Sequence, residues 1–366
     1  MDFTERWGAT EDCLVREAGS LGELLEQLRG RISRVLIGDR EWARLSERAH
    51  QLPVTMAAFP FGFELPLLES RPAADFGVSI VGGSRSARFF EERGRAEDAG
   101  SSMRGIAGLL AETEQEESHL RRLAGRKMLL EYDIASEDGG AHPDPGIFLY
   151  PAEDVLIGDG QRLRDLGVVV DAVDAATGLA LDAAERRQVE LVYLAMEADT
   201  SVRAVGAFPS RDRGLRLAIT GFRHTPDVMS YLERTAWPGE RSAVASLCTP
   251  LEKRGAFAYM GVHQDVHADG VGPRLGLSFY AREGQWLKDI QHWIPLIDGI
   301  RKQRLAVPTK LAELTDSWAG AETLFGKSGP IVLVRGIHHF KFVLVDDRIE
   351  QVKAYVFALM LGLRPQ

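Results

Sequence analysis

The sequence has few cysteines and no apolar segment long enough to cross a membrane. Its 366 residues include two cysteines, Cys13 and Cys248, which excludes a disulfide framework and a cysteine-rich metal site. The polar residues 1–10 lack the basic segment and apolar core of a secretion signal. The longest apolar stretch, residues 356–363, is shorter than the ~18 residues that a spanning helix needs. We therefore expect a soluble, cytoplasmic protein.

The chain also lacks the positive charge that binding to polyanions requires. It contains 53 acidic and 44 basic residues, for a net charge of -9. This balance opposes non-specific attraction to nucleic acid or to an anionic membrane surface, and we expect neither as a partner. The hydrophobic content of 45% over 366 residues is enough to bury a large core.

Several catalytic motifs are absent from the sequence as well. There is no Gly-x-Ser-x-Gly elbow, no His-Glu-x-x-His helix and no Asp-Asp-x-x-Asp magnesium motif. The glycine-containing segment 82–88 has neither the lysine of a P-loop nor a complete Gly-x-Gly-x-x-Gly pattern. Hydrolase, zinc protease and class I terpene chemistry therefore lose support.

What the sequence does contain is strands with one polar and one apolar face. Side chains alternate across a strand with period two, so residues 351–357 place Lys353 and Tyr355 on one face and Val352, Ala354 and Val356 on the other. Other predicted strands sort their side chains similarly. Their polar faces carry Glu131 and Asp133, Arg216 and Thr220, Tyr259, His263 and Asp265, and Arg274, Ser278 and Tyr280.

These strands occur in pairs separated by helical sequence, which predicts an α+β fold. The predicted pairs are 54–59 with 77–81, 127–134 with 146–150, 202–208 with 215–220, 257–265 with 274–280, and 331–345 with 351–357. We expect about ten antiparallel strands closed into a barrel, with outer helices and a lumen lined by the polar faces. The alternative is two smaller open αβ sheets. We divide the chain into an N-terminal helical segment, 1–50, and a single barrel domain, 51–366.

Strand pairs alternating with outer helices, with Lys353-x-Tyr355 on a late strand, resemble the αββα-barrel aromatic prenyltransferases, a family that includes indole and cyanobactin-type peptide prenyltransferases. The resemblance implies that basic and tyrosine side chains projecting into the barrel hold an allylic diphosphate. It assigns Lys353 and Tyr355 directly to that role.

The resemblance implies further roles for residues expected to face the lumen. Arg216, Arg274 and Lys341 would join Lys353 at the diphosphate, and Glu131 would be the carboxylate beside the acceptor. Tyr259, Tyr280 and Tyr355 would shield the allylic cation that forms when the diphosphate departs. Apart from the resemblance, His338-His339 followed by Lys341 could serve as a base and a phosphate contact, because a neutral imidazole titrates near working pH; the alternative is edge-strand histidines paired with solvent. We include His263 and His339 among the substrate-binding residues.

A metal site is a competing interpretation of one of these segments. His263, Asp265 and His267 point the same way in an extended strand, and His338 or His339 would add a fourth ligand. The segment runs into a turn at residues 268–270, so we interpret it as solvated polar residues at a strand end and predict no metal centre. We expect no required cofactor, although Mg²⁺ could accompany a diphosphate donor.

Two functions remain open at this stage. The favoured hypothesis is an enzyme of natural-product biosynthesis that transfers an allylic group from a diphosphate to an aromatic small molecule or a peptide. The alternative is a non-catalytic accessory protein that binds a peptide or a partner in such a pathway. The small number of catalytic motifs fits the second hypothesis better.

Overall fold

Eleven strands form a single sheet in the computed structural model, which describes residues 7–134, 144–209, 214–281 and 290–362. The strands are β1 (Phe61–Pro66), β2 (Asp75–Val81), β3 (Lys127–Tyr132), β4 (Gly146–Leu149), β5 (Ser201–Ala207), β6 (Leu215–Phe222), β7 (Tyr259–His267), β8 (Gly270–Tyr280), β9 (Gly320–Gly326), β10 (Gly329–Val345) and β11 (Arg348–Gly362).

Ten of these strands close into an antiparallel barrel. The order runs from β1 to β8 and continues through β10 and β11, and β11 pairs back onto β1. The strand β9 lies outside the ring, paired with the first half of β10. The predicted barrel of about ten strands is confirmed, and the alternative of two open sheets is wrong.

Helices surround the barrel on its outer side. The described residues form α1 (Trp7–Glu17), α2 (Leu21–Leu28), α3 (Asp39–His50), α4 (Arg85–Gly94), α5 (Ser101–Glu114), α6 (His119–Ala124), α7 (Leu163–Thr177), α8 (Ala183–Leu194), α9 (Thr225–Arg234), α10 (Arg241–Glu252), α11 (Ile294–Lys302) and α12 (Pro308–Glu313). Within the described ranges, none of them combines the length and apolarity that crossing a bilayer demands.

The hydrophobic core lies between the barrel and this helical layer. Along β1, Phe61, Phe63 and Leu65 are at most 2% exposed and point outward, while the residues between them face the lumen. Phe63 meets Trp318 edge to face at 5.9 Å. Burying each such side chain contributes about 1.5–3 kcal/mol, so the alternation seen in the sequence is what holds the helices against the barrel.

The two ends of the barrel differ in how the strands are connected. At one end, which we call the hairpin end, the chain passes directly from β1 to β2, β3 to β4, β5 to β6, β7 to β8 and β10 to β11. At the opposite end, which we call the helix end, the strand pairs are connected through helices. Antiparallel pairing of consecutive strands requires this division, and it fixes which lumen residues lie near which opening.

The N-terminal helices α1, α2 and α3 share the core of the barrel domain. Their buried residues, including Leu14, Leu25 and Leu45, belong to the same hydrophobic cluster as the outer faces of the strands. In addition, the carboxylate of Glu17 on α1 accepts hydrogen bonds from the backbone N–H groups of Lys327 (2.8 Å) and Ser328 (2.6 Å) at the β9–β10 turn.

The first predicted strand, 54–59, is wrong. Residues Val54–Ala58 form a short 3₁₀ helix, and β1 begins at Phe61. All five residues of the 3₁₀ helix are buried, so the segment has no exposed face to alternate with. The sequence signal for the true strand was the alternation of large apolar residues with Gly62, Glu64 and Pro66.

A buried lysine joins the outer helices to the hairpin end of the barrel. Lys310 on α12 is 1% exposed, and its Nζ donates to the carbonyl oxygens of Pro66 (2.7 Å), the last residue of β1, and Arg71 (2.5 Å), within the β1–β2 connection. The connection is also held by the N–H of Val307, which donates to the carbonyl of Leu67 at 2.8 Å. The lysine therefore fixes the loop that follows β1.

We predict that Lys310→Met lowers the free energy of unfolding by about 1–3 kcal/mol, because two partly buried carbonyl groups lose their donor. Urea denaturation monitored by circular dichroism measures this change. The matched control is Lys302→Met, which alters an exposed lysine on α11 and should leave the midpoint in place. Equal denaturation midpoints for Lys310→Met and the wild type would contradict this role of Lys310.

Candidate active site

A group of charged side chains lies in the lumen where β1, β10 and β11 meet. The Lys353 ammonium and the Tyr355 hydroxyl both donate to the carboxylate of Glu64, because Tyr355 on β11 lies directly opposite Glu64 on β1. Burial alone would raise the pKa of Glu64, but Lys353 and Lys341 lower it to about 2. Glu64 is therefore ionised, and burial together with this carboxylate keeps the Tyr355 phenol protonated by raising its pKa.

Lys341 is the second lysine of this group and differs from Lys353 in its surroundings. It is 8% exposed and has no ion-pair partner among the described residues. Its Nζ lies 5.9 Å from the centroid of the Tyr355 ring. A Cβ at Gly276 would stand 2.5 Å from the Lys341 Cε, so the glycine makes room for the side chain. Burial, followed by the charges of Arg216 and Lys353, lowers the pKa of Lys341 to about 7.

The third cation of the lumen, Arg216, is paired within the barrel. Its Nε and Nη2 donate to the two carboxylate oxygens of Asp265 at 2.7 and 2.8 Å, across the β6–β7 register. Burial would raise the pKa of Asp265, but Arg216 holds it below its usual value. Bidentate pairs of this kind are strong and geometrically specific. The guanidinium also lies 5.1 Å from the centroid of the Phe208 ring.

An aromatic stack runs across the lumen beside these charges. The ring of His339 stacks on Tyr355 (centroids 4.1 Å apart) and on Tyr280 (5.1 Å), and Tyr280 stacks on Tyr259 (4.8 Å). Burial, followed by His338, moves the pKa of His339 well below its ordinary value. The stack is therefore uncharged near neutral pH and presents ring faces that attract a cation.

The histidines of the lumen are held by neighbouring polar groups. The Nε2 of His263 and the Oγ of Ser278 share a hydrogen bond at 2.8 Å, and the Nδ1 atoms of His338 and His339 lie 2.7 Å apart. The Nε2 of His339 is buried and has no hydrogen-bond partner among the described residues. In the part of the chain that the structure describes, no three His, Cys, Asp or Glu side chains are placed to hold a metal ion.

The opposite side of the lumen is apolar. Phe148, Ala204, Phe208 and Ala218, from β4 to β6 and the residue after β5, form a cluster separate from the main core; we call it the apolar wall. Phe148 and Phe208 meet edge to face at 5.2 Å. A Cβ at Gly206 would lie 2.1 Å from the Phe148 ring, so this glycine is required for the ring to turn inward. The lumen thus has an apolar surface on one side and a charged, aromatic surface on the other.

The structure brings together most of the residues predicted from the sequence. Those that lie on the lumen side of the barrel are Glu131, Arg216, Tyr259, His263, Tyr280, His339, Lys341, Lys353 and Tyr355. Glu131 stands opposite Gly77 on β2 and Gly146 on β4. Arg274 lies apart from the group: it pairs with Glu350 at 2.8 Å, and the two side chains are 41% and 44% exposed.

Sequence reasoning missed several lumen residues. Glu64 was missed because the first strand was placed too early along the chain. Lys127 shares the period-two face of Glu131 on β3 and could have been found from that spacing. Arg203 could not, because the register of β5 shifts between residues 202 and 204 and breaks the alternation.

Solved structures share this architecture over nearly the whole chain. The apo form of the prenyltransferase PriB is 14% identical, with a TM-score of 0.53, and the match covers 93% of this chain and 96% of PriB. AnaPT from Neosartorya fischeri is 10% identical, with a TM-score of 0.57, and the match covers 90% and 92%. PriB in complex with product diphosphate is 14% identical, with a TM-score of 0.50 and coverage of 92% and 95%.

These similarities confirm the resemblance to the αββα-barrel prenyltransferases at the level of the fold. No protein-family model matches the sequence, and no curated protein matches it. Fold and function are separable, since one barrel can host unrelated chemistries. The function of this chain must therefore be argued from the side chains in its lumen.

We predict that the Lys341 amine makes the fold more stable as the pH rises above about 7. Its folded pKa lies below the unfolded value near 10.5, so between these values the unfolded chain binds more protons and stability increases with pH. Urea denaturation from pH 6 to pH 9 should show the wild type gaining stability relative to Lys341→Met. The matched control is Lys302→Met, against which the wild type should show no such gain. A difference in unfolding free energy between the wild type and Lys341→Met that stays constant with pH would contradict the lowered pKa of Lys341.

Proposed function

We propose that this protein is an enzyme that transfers an allylic group from a diphosphate donor to an aromatic acceptor inside the barrel. The observation that carries this proposal is the position of Lys341. It is a buried lysine without an ion-pair partner among the described residues, next to two further cations and against an aromatic stack. The shared fold of PriB, which has been crystallised with product diphosphate, supports the same class of reaction.

The donor's diphosphate binds at the hairpin end in this proposal. Lys341 supplies a charge that no carboxylate neutralises directly, and Lys353 and Arg216 are close enough to lower its pKa. Ammonium and guanidinium groups are suited to phosphate oxygens because their hydrogen bonds are charge-assisted. A bound diphosphate would also raise the pKa of Lys341, so the lysine would take up a proton as the donor binds.

Chemistry then begins with cleavage of the donor's C–O bond, whose electron pair leaves on the diphosphate. The allylic cation that remains lies between the apolar wall and the faces of Tyr355, Tyr280 and Tyr259. Ring quadrupoles stabilise such a cation, and the surrounding aromatic side chains exclude the water that would quench it.

An aromatic ring of the acceptor attacks the cation with a π-electron pair, and a new C–C bond forms. The ring carbon must then release a proton to a base. Glu131 is the acceptor-side carboxylate that the resemblance implies, and it stands on the lumen face of β3. We therefore assign the proton to Glu131. The acceptor is an aromatic small molecule or an aromatic residue of a peptide, as in the modification of a natural product.

One observation favours a second candidate function, a non-catalytic protein that binds a ligand in the lumen. Lys353 and Arg216 are already compensated by Glu64 and Asp265. A diphosphate must compete with these carboxylates, whereas a ligand of lower charge would need only Lys341. The two candidates differ in whether the lumen takes up an allylic diphosphate.

We predict that dimethylallyl or geranyl thiodiphosphate binds the wild type, and that two substitutions change its affinity in opposite directions. Lys341→Gln removes the uncompensated cation and should raise Kd about 10-fold or more, as expected for a hydrogen bond to a charged group. Glu64→Gln removes a competing carboxylate and should lower Kd. Isothermal titration calorimetry measures both, independently of any change in melting temperature.

The control for these titrations is Lys253→Gln, which changes the same charge at an exposed position after α10 and should bind like the wild type. Absence of binding to the wild type at millimolar analogue would end the transferase proposal and favour the accessory function. Wild-type affinity in Lys341→Gln would remove Lys341 from the donor site.

A further inference from the structure

The strand β9 lies outside the barrel ring, and one of its edges is open. It pairs with β10, without a register shift, and among the described residues no other strand joins it. Its Phe325 is 86% exposed, the highest value among the large apolar side chains of the described residues. An open strand edge is a template on which another polypeptide can pair.

The register with β10 shows which backbone groups point to the open edge. In an antiparallel ladder, pairs that exchange hydrogen bonds alternate with pairs that do not. Phe325 lies opposite Pro330, which has no N–H to exchange, so this pair is of the second kind. Residues two apart on the strand share that state. The backbone N–H and C=O groups of Ala321, Thr323 and Phe325 therefore point away from β10.

The strand lacks the features that usually protect a sheet edge, which are proline, a bulge or an exposed charge. It contains no proline, and its one charged residue, Glu322, contacts Arg31 (3.0 Å) and Arg335 (3.2 Å). The other, more exposed face of the strand carries Ala321, Thr323 and Phe325 and no charge. Nothing on the described strand therefore opposes the addition of another strand.

The side chains of β9 are complementary to a second copy of the same strand. In a two-fold contact, residue i meets residue j and residue j meets residue i. With the axis at Thr323, all seven residues of β9 are matched, and Ala321 lies opposite Phe325 of the partner subunit. The smallest side chain of the exposed face thus meets the largest. The alanine leaves room for the ring to reach Val334, its neighbour on β10.

Charge also favours this antiparallel arrangement. We consider the described charged side chains that lie on β9, lie within four residues of it, or are bound to these segments. At the Gly320 end these are three carboxylates and two cations: Glu313, Asp316, Glu322, Arg31 and Arg335. At the Gly326 end they are one carboxylate and two cations: Glu17, Arg16 and Lys327. Antiparallel pairing places the acidic end of each copy beside the basic end of the other.

We propose that β9 pairs in antiparallel orientation with β9 of a second copy of this chain, about an axis at Thr323. The two barrels are then joined through one continuous sheet by about six backbone hydrogen bonds, two for each hydrogen-bonded pair. A contact of this length lies at the small end of protein interfaces, below about 1,200 Å². We therefore expect a reversible dimer with a Kd on the order of 10 μM.

The test is sedimentation equilibrium of the full chain over a range of about 1–200 μM, chosen to bracket that Kd. Thr323→Pro removes an N–H that points to the partner and not to β10, so the β9–β10 hairpin keeps its own hydrogen bonds. We expect this change to raise Kd about 10-fold or more. The matched control is Thr323→Val, which keeps the N–H and the preference for a strand and should dimerise like the wild type.

A second pair of variants tests the register. Phe325→Glu should weaken the dimer, because the ring no longer covers Ala321 of the partner subunit. Adding Ala321→Lys to Phe325→Glu should restore association, since opposite charges then face each other across the two strands. The two positions are about 13 Å apart within one chain, at ~3.3 Å per residue, so this restoration requires a second copy.

Three results would overturn the proposal. The first is a wild type that stays monomeric throughout the concentration range, which would leave a different polypeptide as the occupant of the edge. The second is a wild-type Kd in Thr323→Pro, and the third is no restoration in the double variant. Each variant's melting temperature is measured first, so that a loss of fold is recognised. These outcomes are independent of thiodiphosphate binding, which tests the transferase proposal.

Discussion

The charged lumen depends on compensation of one carboxylate, that of Glu64, whose side chain is 13% exposed. Glu64 accepts from both Lys353 and Tyr355, and these contacts join β11 to β1 across the seam that closes the barrel. Removing one partner of such a pair leaves a buried charge alone and typically costs about 3–5 kcal/mol. The same carboxylate limits the positive charge available to a ligand. Closure of the fold and ligand charge are therefore linked at this single group.

The two surfaces of the lumen follow from how the inward positions are filled. On β4 and β5, Gly146 and Gly206 leave space for the rings of Phe208 and Phe148, which makes that side apolar. On β8, Gly276 instead leaves space for Lys341. These three glycines thus provide the space for aromatic rings on one side of the lumen and for a cation on the other. This asymmetry orients a ligand that has an apolar part and an anionic part.

The sequence carried enough information for the architecture because the barrel follows a local rule. Alternation on the late strands placed Lys341, Lys353 and Tyr355 on one face, and short connections made the pairs antiparallel. Alternation does not predict which side chains pair across neighbouring strands. The pairing of Arg216 with Asp265, or of Arg274 with Glu350, depends on register and rim position, which alternation within one strand does not specify. Hence Arg216, Lys341 and Lys353 were found from the sequence, but the carboxylates that neutralise Arg216 and Lys353 were not.

Charge balance also explains why fold similarity cannot decide the chemistry of this barrel. The hairpin-end cations comprise two that face carboxylates within hydrogen-bond distance and one, Lys341, whose burial keeps its pKa near neutrality. Binding an anion there would restore the proton on Lys341 and loosen the two ion pairs, so affinity and protonation are coupled. A barrel of the same shape with apolar residues at these positions would bind no anion. Whether the lumen takes up an anion is therefore determined by which carboxylates that anion can displace.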